Sequence, residues 1–178
     1  MLFRSQLSTG RSIKTLKGHT SRVLSLIFSP DGKTLASGSA DTTIQLWNMA
    51  SGGSSASLRA TLRGHNAEVT SLAFFRDGVL ASTSFDRSVR LWNVNACSPI
   101  SIGVLPSSWS CLGFHSLAVS PDGTKLATGS DDSYYMVWWK RGSSNAIQVV
   151  GSLSLNGDDT KGLSFSLRSE EHTSELQS

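Results

Sequence analysis

The chain has 178 residues and a formal net charge of +3, and its 34 serines and 16 glycines make up more than a quarter of it. Only 16% of the residues are charged, which argues against a helical bundle or coiled coil, because these folds need long runs of Ala, Leu, Glu, Lys and Arg. No stretch approaches the roughly 18 consecutive apolar residues of a membrane span, and the weak positive charge does not indicate a nucleic-acid partner.

The chain repeats itself. Three markers recur at steps of 45 or 46 residues: Asp-Gly pairs starting at 31, 77 and 122, tryptophans at 47, 92 and 138, and Gly-His pairs starting at 18 and 64. Because independent markers share one period, we expect a repeat architecture in which each period is one supersecondary unit.

Within each period, short segments rich in β-branched and aromatic residues predict four strands separated by turns. In the first period the predicted strands cover 23–28, 34–39, 43–47 and 59–64. In the second period they cover 69–74, 79–84, 88–92 and 100–105. No segment shows helical periodicity, so the pattern predicts an all-β protein.

A unit of this length with four strands, a Gly-His pair and a late Trp resembles one blade of the WD-repeat (WD40) β-propeller family. The first two repeats read LKGHTSRVLSLIFSPDGKTLASGSADTTIQLWN and LRGHNAEVTSLAFFRDGVLASTSFDRSVRLWN. The third is degenerate at its start and reads LAVSPDGTKLATGSDDSYYMVWW. The resemblance implies a β-propeller fragment of about three four-stranded antiparallel blades plus the first strand of a fourth.

The resemblance also divides the chain into segments. The predicted blades cover about 12–58, 59–105 and 106–155, with the start of a fourth at 156–167, and residues 1–11 are expected to belong to a preceding blade or to be disordered. The last residues, 168–178, read RSEEHTSELQS and resemble the in-frame translation of a sequencing-library adapter. We expect them to be a disordered artefact, and the remaining blades of a longer chain to complete the ring.

In WD-repeat proteins a His, a Ser or Thr, an Asp and a Trp form a hydrogen-bonded network within one blade. The matching residues are His19, Ser37, Asp41 and Trp47, then His65, Ser82, Asp86 and Trp92, and finally Thr128, Asp132 and Trp138 without a His. In each set the Asp precedes the Trp by six residues, and the hydroxyl residue precedes it by ten. Ser110 aligns with the missing His, so we expect blade three to be less firmly held.

The same side chains have a chemical alternative. His19 with Asp41, or His65 with Asp86, could hold a metal or form part of a Ser-His-Asp catalytic set. The set occurs twice at the repeat period, which an active site would not require, so a structural role is favoured. We therefore expect no enzymatic activity, no catalytic residue, no metal and no cofactor. The chain has only two cysteines and no recognisable signal peptide, so we expect an intracellular location, either cytoplasmic or nuclear.

The resemblance implies partner-contacting positions beside the first residue of the inner strand and just before the structural Asp. These are Arg22, Leu24 and Ala40 in blade one, Glu68, Thr70 and Phe85 in blade two, and His115 and Asp131 in blade three. Phe85 stands out because a large aromatic side chain in a turn can anchor a partner, although it could equally be a local packing residue. The mixed charges of this set argue against a phosphate or nucleic-acid surface.

The expected function is therefore a non-catalytic protein–protein interaction scaffold or adaptor that binds proteins or peptides on one face of the propeller. Two alternatives stay open. One is a regulatory propeller of a larger enzyme, such as a kinase, an NTPase or a ubiquitin ligase. The other is a component of a ribonucleoprotein assembly. No membrane association is expected.

Overall fold

The computed structural model describes residues 2–5, 12–49, 56–105, 113–130 and 135–154. Within them the chain forms three four-stranded antiparallel sheets and one two-stranded sheet, and no helix. The prediction of an all-β protein with three four-stranded antiparallel blades is confirmed. The segments predicted as the start of a fourth blade (156–167) and as an artefact (168–178) lie outside the described residues.

Strands follow one another in space as they do in sequence. The two-stranded sheet pairs β1 (Leu2–Ser5) with β2 (Ser12–Leu16). Blade one contains β3 (Val23–Phe28), β4 (Thr34–Ser39), β5 (Ile44–Met49) and β6 (Ala56–Leu62). Blade two contains β7 (Val69–Phe74), β8 (Val79–Ser84), β9 (Ser88–Asn93) and β10 (Ser98–Val104). Blade three contains β11 (Ser116–Val119), β12 (Lys125–Gly129), β13 (Tyr135–Arg141) and β14 (Ile147–Ser154).

The limits of the first sheet differ from the predicted limits of the first repeat. Strand β6 pairs with β5, so the boundary placed between 58 and 59 falls inside a strand. Strand β2 lies within the predicted first repeat, but its sequence also reads as the last strand before blade one, and it pairs with β1. The reason is that the strand before each Gly-His pair belongs to the preceding sheet, although the sequence repeat begins with it.

The repeated Asp-Gly pairs form the turns between the first and second strands of each blade. The glycine φ angles are 69° at Gly32, 83° at Gly78 and 71° at Gly123, a region that favours glycine. Each preceding Asp accepts a bond from the backbone N–H two residues on, at 3.0 Å from Lys33, 3.2 Å from Val79 and 3.0 Å from Thr124. The recurrence of Asp-Gly thus has a backbone cause.

The core lies between neighbouring blades, where the apolar faces of two sheets meet. One cluster joins blades one and two through Ile44, Leu46, Leu62, Val69, Leu72, Leu80 and Trp92. Another joins blades two and three through Phe75, Leu91, Leu105, Phe114, Leu126 and Trp139. The two sheets approach closely at Gly38. A Cβ added there would lie 2.8 Å from Val69 Cγ1, a clash that glycine avoids because it has no side chain.

Candidate functional site

The four predicted network residues of blade one meet inside the sheet. Trp47 Nε1 donates to Ser37 Oγ at 2.9 Å, and the same hydroxyl lies 2.8 Å from His19 Nε2. His19 Nδ1 lies 2.8 Å from Asp41 Oδ2. With the carboxylate as acceptor, the ring proton belongs on Nδ1, so Nε2 accepts the serine proton and the hydroxyl accepts from the indole.

Blade two repeats this geometry with nearly the same distances. Trp92 Nε1 donates to Ser82 Oγ at 2.8 Å, Ser82 Oγ lies 2.7 Å from His65 Nε2, and His65 Nδ1 lies 2.8 Å from Asp86 Oδ2. The network spans the turn before β7, strand β8, the turn after it and strand β9. Two equal copies at the repeat period agree with the structural interpretation of these residues.

The two carboxylates stay ionised because their hydrogen bonds outweigh their burial. Burial raises the pKa of Asp41, but bonds from Thr43, the Thr20 N–H and His19 lower it overall to about 2. Burial likewise raises the pKa of Asp86, while His65, Ser88 and the Asn66 N–H together hold it well below its ordinary value. A buried carboxylate that must stay charged fixes the orientation of the adjacent imidazole.

Blade three uses a different tryptophan from the predicted one. Trp139 Nε1 donates to Thr128 Oγ1 at 3.0 Å, and Trp139 is 1% exposed. Trp138 is half-buried and occupies the register position of Leu91. The assignment of Trp138 to the network is therefore wrong, whereas Thr128 is placed as predicted. Asp132 and Ser110 lie outside the described residues.

One additional residue in the chain between β12 and β13 explains this error. In blade two, Thr83 pairs with Val89, six residues later, whereas in blade three Gly129 pairs with Met136, seven residues later. The hydroxyl residue therefore precedes the bonded Trp by eleven residues instead of ten. Because side chains alternate between the two faces of a strand, Trp139 occupies the position that the repeat spacing predicts for Trp138.

Six of the eight predicted partner-contacting residues line one pocket. It has a volume of about 400 Å³ and opens where blades one, two and three meet at one end of their strands. Its lining residues are Arg22, Leu24, Glu68, Thr70, Phe85 and His115. Ala40 lies beside this pocket, where its backbone N–H donates to Arg22 O at 2.9 Å. Asp131 lies outside the described residues.

An aromatic pair and a part-buried hydroxyl form one side of the pocket. The rings of Phe85 and His115 meet edge to face, with centroids 4.6 Å apart. Phe85 also packs on Gly113, where an added Cβ would lie 2.5 Å from Phe85 Cα. Thr70 Oγ1 donates to Phe114 O at 2.5 Å. Phe85 is thus half-buried by blade three, while its side chain still lines the pocket.

The sequence interpretation missed Gly113. This residue aligns with Arg22 and Glu68, since Phe114 occupies the register position of Val69. The signal was available in that alignment: a glycine at the third copy of a partner-contacting position makes room for the aromatic side chain of the neighbouring blade.

A charged pair forms the rim of the pocket. Arg22 Nη2 lies 3.7 Å from Glu68 Oε1, and their side chains are 78% and 34% exposed. Leu24 is 40% exposed beside them. The pocket therefore combines the apolar side chains of Leu24 and Phe85 with one charge of each sign at its edge.

The described residues contain no group of three or more His, Cys, Asp or Glu side chains placed to hold a metal ion. In that same part of the chain, no helix is long and apolar enough to cross a membrane.

The comparison with protein families agrees with the sheet geometry. The family model described as "WD domain, G-beta repeat" matches residues 10–48, 56–93 and 105–138. This chain belongs to the WD40 family. The first two ranges end one residue after Trp47 and Trp92, and the third ends one residue before Trp139.

Three curated proteins illustrate the similarity. The chain is 34% identical to nuclear distribution protein nudF of Aspergillus niger over 80% of its own length and 31% of the relative. It is 32% identical to apoptotic protease-activating factor 1 of Rattus norvegicus over 75% of its length, and 29% identical to pre-mRNA-processing factor 19 of Bos taurus over 81%. The chain spans only 10% and 28% of the latter two relatives.

Proposed function

We propose that this WD40 chain is a non-catalytic interaction scaffold or adaptor that binds protein or peptide partners in the pocket lined by Phe85 and His115. One observation carries the proposal. Residues separated by almost a hundred positions in sequence, from Arg22 to His115, line a single pocket of about 400 Å³. Members of the WD40 family generally bind other proteins, and this pocket is a concave surface on which such binding can take place.

The chemistry of the pocket supports a peptide as its ligand. The exposed Leu24 and the Phe85 edge can contact an apolar side chain, and the Arg22–Glu68 pair can bind polar groups of either sign at the rim. A phosphate site would need clustered cations, and Arg22 is the one cationic side chain among the lining residues.

The relatives support two further candidate settings for the same surface. A match covering 10% of apoptotic protease-activating factor 1 fits a propeller that regulates a larger protein with catalysis encoded elsewhere. A match to pre-mRNA-processing factor 19 fits a component of a ribonucleoprotein assembly. In both settings the pocket binds protein, and we propose a cytoplasmic or nuclear location.

The experiment compares two truncations of apolar side chains on the folded chain. Proteins captured from a cell extract by the wild type are quantified against those captured by Phe85→Ala and by Ile102→Ala. Ile102 is 47% exposed on β10 and lies outside the pocket, so it is the matched control. Removal of an anchoring aromatic side chain should lower partner affinity roughly 30-fold, while the control retains binding.

Circular dichroism spectra of both variants should match that of the wild type, which shows that neither substitution unfolds the sheets. Equal capture by Phe85→Ala and wild type would remove the pocket from the proposal. Equal loss in both variants would place binding elsewhere on the sheets.

A further inference from the structure

A second pocket lies at the opposite end of the strands, where blade one meets blade two. Its volume is about 250 Å³. Its lining includes Asp31 from the Asp-Gly turn of blade one, Phe74 from the end of β7, and Val94 and Asn95 from the turn after β9. It shares no residue with the pocket around Phe85 and is independent of the function proposed for it.

At the corresponding junction between blades two and three, an arginine fills the space. Arg141 Nη2 donates to Asp77 Oδ2 at 2.6 Å, and Arg141 Nε donates to Asn145 Oδ1 at 2.8 Å. The guanidinium carbon lies 4.2 Å from the centroid of the Phe75 ring. The Arg141 side chain is only 10% exposed. An Asp-Gly turn and the neighbouring blade thus build a complete arginine-binding site within this chain.

The repeat register shows what differs at the first junction. Arg141 is the second residue after Trp139, and Val94 is the second residue after Trp92. Asp31 and Asp77 begin equivalent Asp-Gly turns. Blades one and two therefore have the carboxylate of the site, but a short apolar side chain where the third blade has its arginine.

Asp31 is prepared to accept a cation. Its Oδ1 accepts bonds from Ser29 Oγ at 2.6 Å and from the Lys33 N–H at 3.0 Å. These two bonds lower the pKa of Asp31 below its ordinary value, and like any exposed aspartate it is ionised at neutral pH. Within the described residues Asp31 forms no ion pair, and both of these bonds use Oδ1 of an exposed side chain, so Oδ2 accepts neither of them.

The other charged lining residues do not replace the missing arginine. Asp77 is paired with Arg141 across the next junction. Arg76 is exposed and forms no ion pair with Asp31. The pocket therefore combines a carboxylate that forms no ion pair among the described residues with the half-buried Phe74 ring and the mostly buried Val94, which match the charged head and the aliphatic stem of an arginine.

We propose that this pocket binds an arginine side chain of a protein partner, with the guanidinium paired to Asp31 as that of Arg141 is paired to Asp77. At this junction the arginine comes from the partner, whereas at the next junction it is Arg141 of blade three. The chain would then present two separate contact sites, one at each end of its strands.

The test uses N-acetyl-arginine methylamide as the probe and amide chemical shifts of the full chain as the readout. We expect saturable shifts at Asp31, Lys33 and Asn95. The citrulline analogue has the same shape without the charge and should give no saturable shift. Asp31→Asn retains the Oδ1 acceptor for the turn but removes the charge, and should weaken probe binding roughly fivefold.

Asp122→Asn is the matched control, because Asp122 has the same bonds from Ser120 Oγ and the Thr124 N–H in the third Asp-Gly turn. It should leave binding of the probe unchanged. Arg76→Ala removes the competing cation and should leave binding equal or tighter. Equal binding of citrulline, equal loss in Asp122→Asn, or wild-type affinity in Asp31→Asn would each overturn the proposal.

Discussion

Among the described residues, blades two and three differ in the number of groups that hold one buried tryptophan. In blade two, Trp92 bonds to Ser82, whose hydroxyl also meets His65, which is held by Asp86. In blade three, Trp139 bonds to Thr128, and the Phe114 ring packs against the indole with centroids 5.8 Å apart. The comparison teaches that the indole–hydroxyl bond is common to all three blades, whereas its spacing in sequence is not.

The largest expected effect separates the two tryptophans of blade three. Trp139→Ala removes a 1% exposed side chain from the core between blades two and three, and should lower the free energy of unfolding by about 3–5 kcal/mol. Trp138→Ala removes a half-buried side chain and should cost less than half as much. Urea denaturation of both variants measures the difference, and the reverse order would restore Trp138 to the network.

A second test examines how closely blade two approaches Trp139. A Cβ added at Gly103 would lie 2.6 Å from Trp139 Cζ3, so Gly103→Ala should destabilise the chain by about 3 kcal/mol through overpacking. Gly151→Ala is the control beside the other indole, since its added Cβ would lie 3.7 Å from Trp138 Cε3. Thermal denaturation should show a lower midpoint for the first variant only, and equal midpoints would contradict the close approach.

A third test compares the two hydroxyl residues directly. Ser82→Ala leaves both the His65 ring and the Trp92 indole without their buried partner, and should cost about 2 kcal/mol. Thr128→Val removes the partner of the Trp139 indole and a long bond of 3.5 Å to the Val137 carbonyl, and should cost roughly half as much. Ser37→Ala in blade one should match Ser82→Ala. If Thr128→Val proved the more harmful, the histidine would contribute nothing to blade two.

The smallest effect is a pH dependence of the free energy of unfolding, which we expect from the networks that contain a carboxylate. Since the pKa of Asp41 falls to about 2 on folding, the stabilisation is present above its unfolded pKa and is lost as the pH falls from about 4 towards 2. Because solvent partly screens this carboxylate, the loss should be only on the order of 1 kcal/mol. Chemical denaturation at several pH values between 5 and 2 gives the free energy of unfolding as a function of pH. This free energy should fall less steeply with decreasing pH in Asp41→Asn than in the wild type, and an equal fall would contradict the assigned bonds.

Local sequence patterns predicted most of the fold. The strands at 23–28, 34–39, 69–74 and 79–84 have the predicted limits, because period-two alternation and Asp-Gly turns are local properties. The networks of blades one and two were also predictable, since their spacings are equal. Trp138 was misassigned because a single additional residue in a connection inverts the pleat of the following strand, and spacing alone does not show where that residue lies.

Burial depended on the neighbouring blade. Leu26 and Leu72 occupy equivalent positions in β3 and β7, yet Leu26 is 50% exposed and Leu72 only 5%, because blade one covers the face of blade two. Val94 and Arg141 also occupy equivalent positions. The junction beside Arg141 is filled because its side chain reaches the Asp-Gly turn of the preceding blade, and the junction beside the shorter Val94 is open.

The sequence by itself determined the all-β class, the repeat period, the Asp-Gly turns and the equal spacing of the networks in blades one and two, because each depends on contacts within one repeat. The tertiary structure decided which tryptophan blade three uses, that six separated residues line one pocket, and that one junction between blades contains an arginine while the other is open. These features depend on how adjacent sheets pack, and sheet packing joins residues that no local pattern connects.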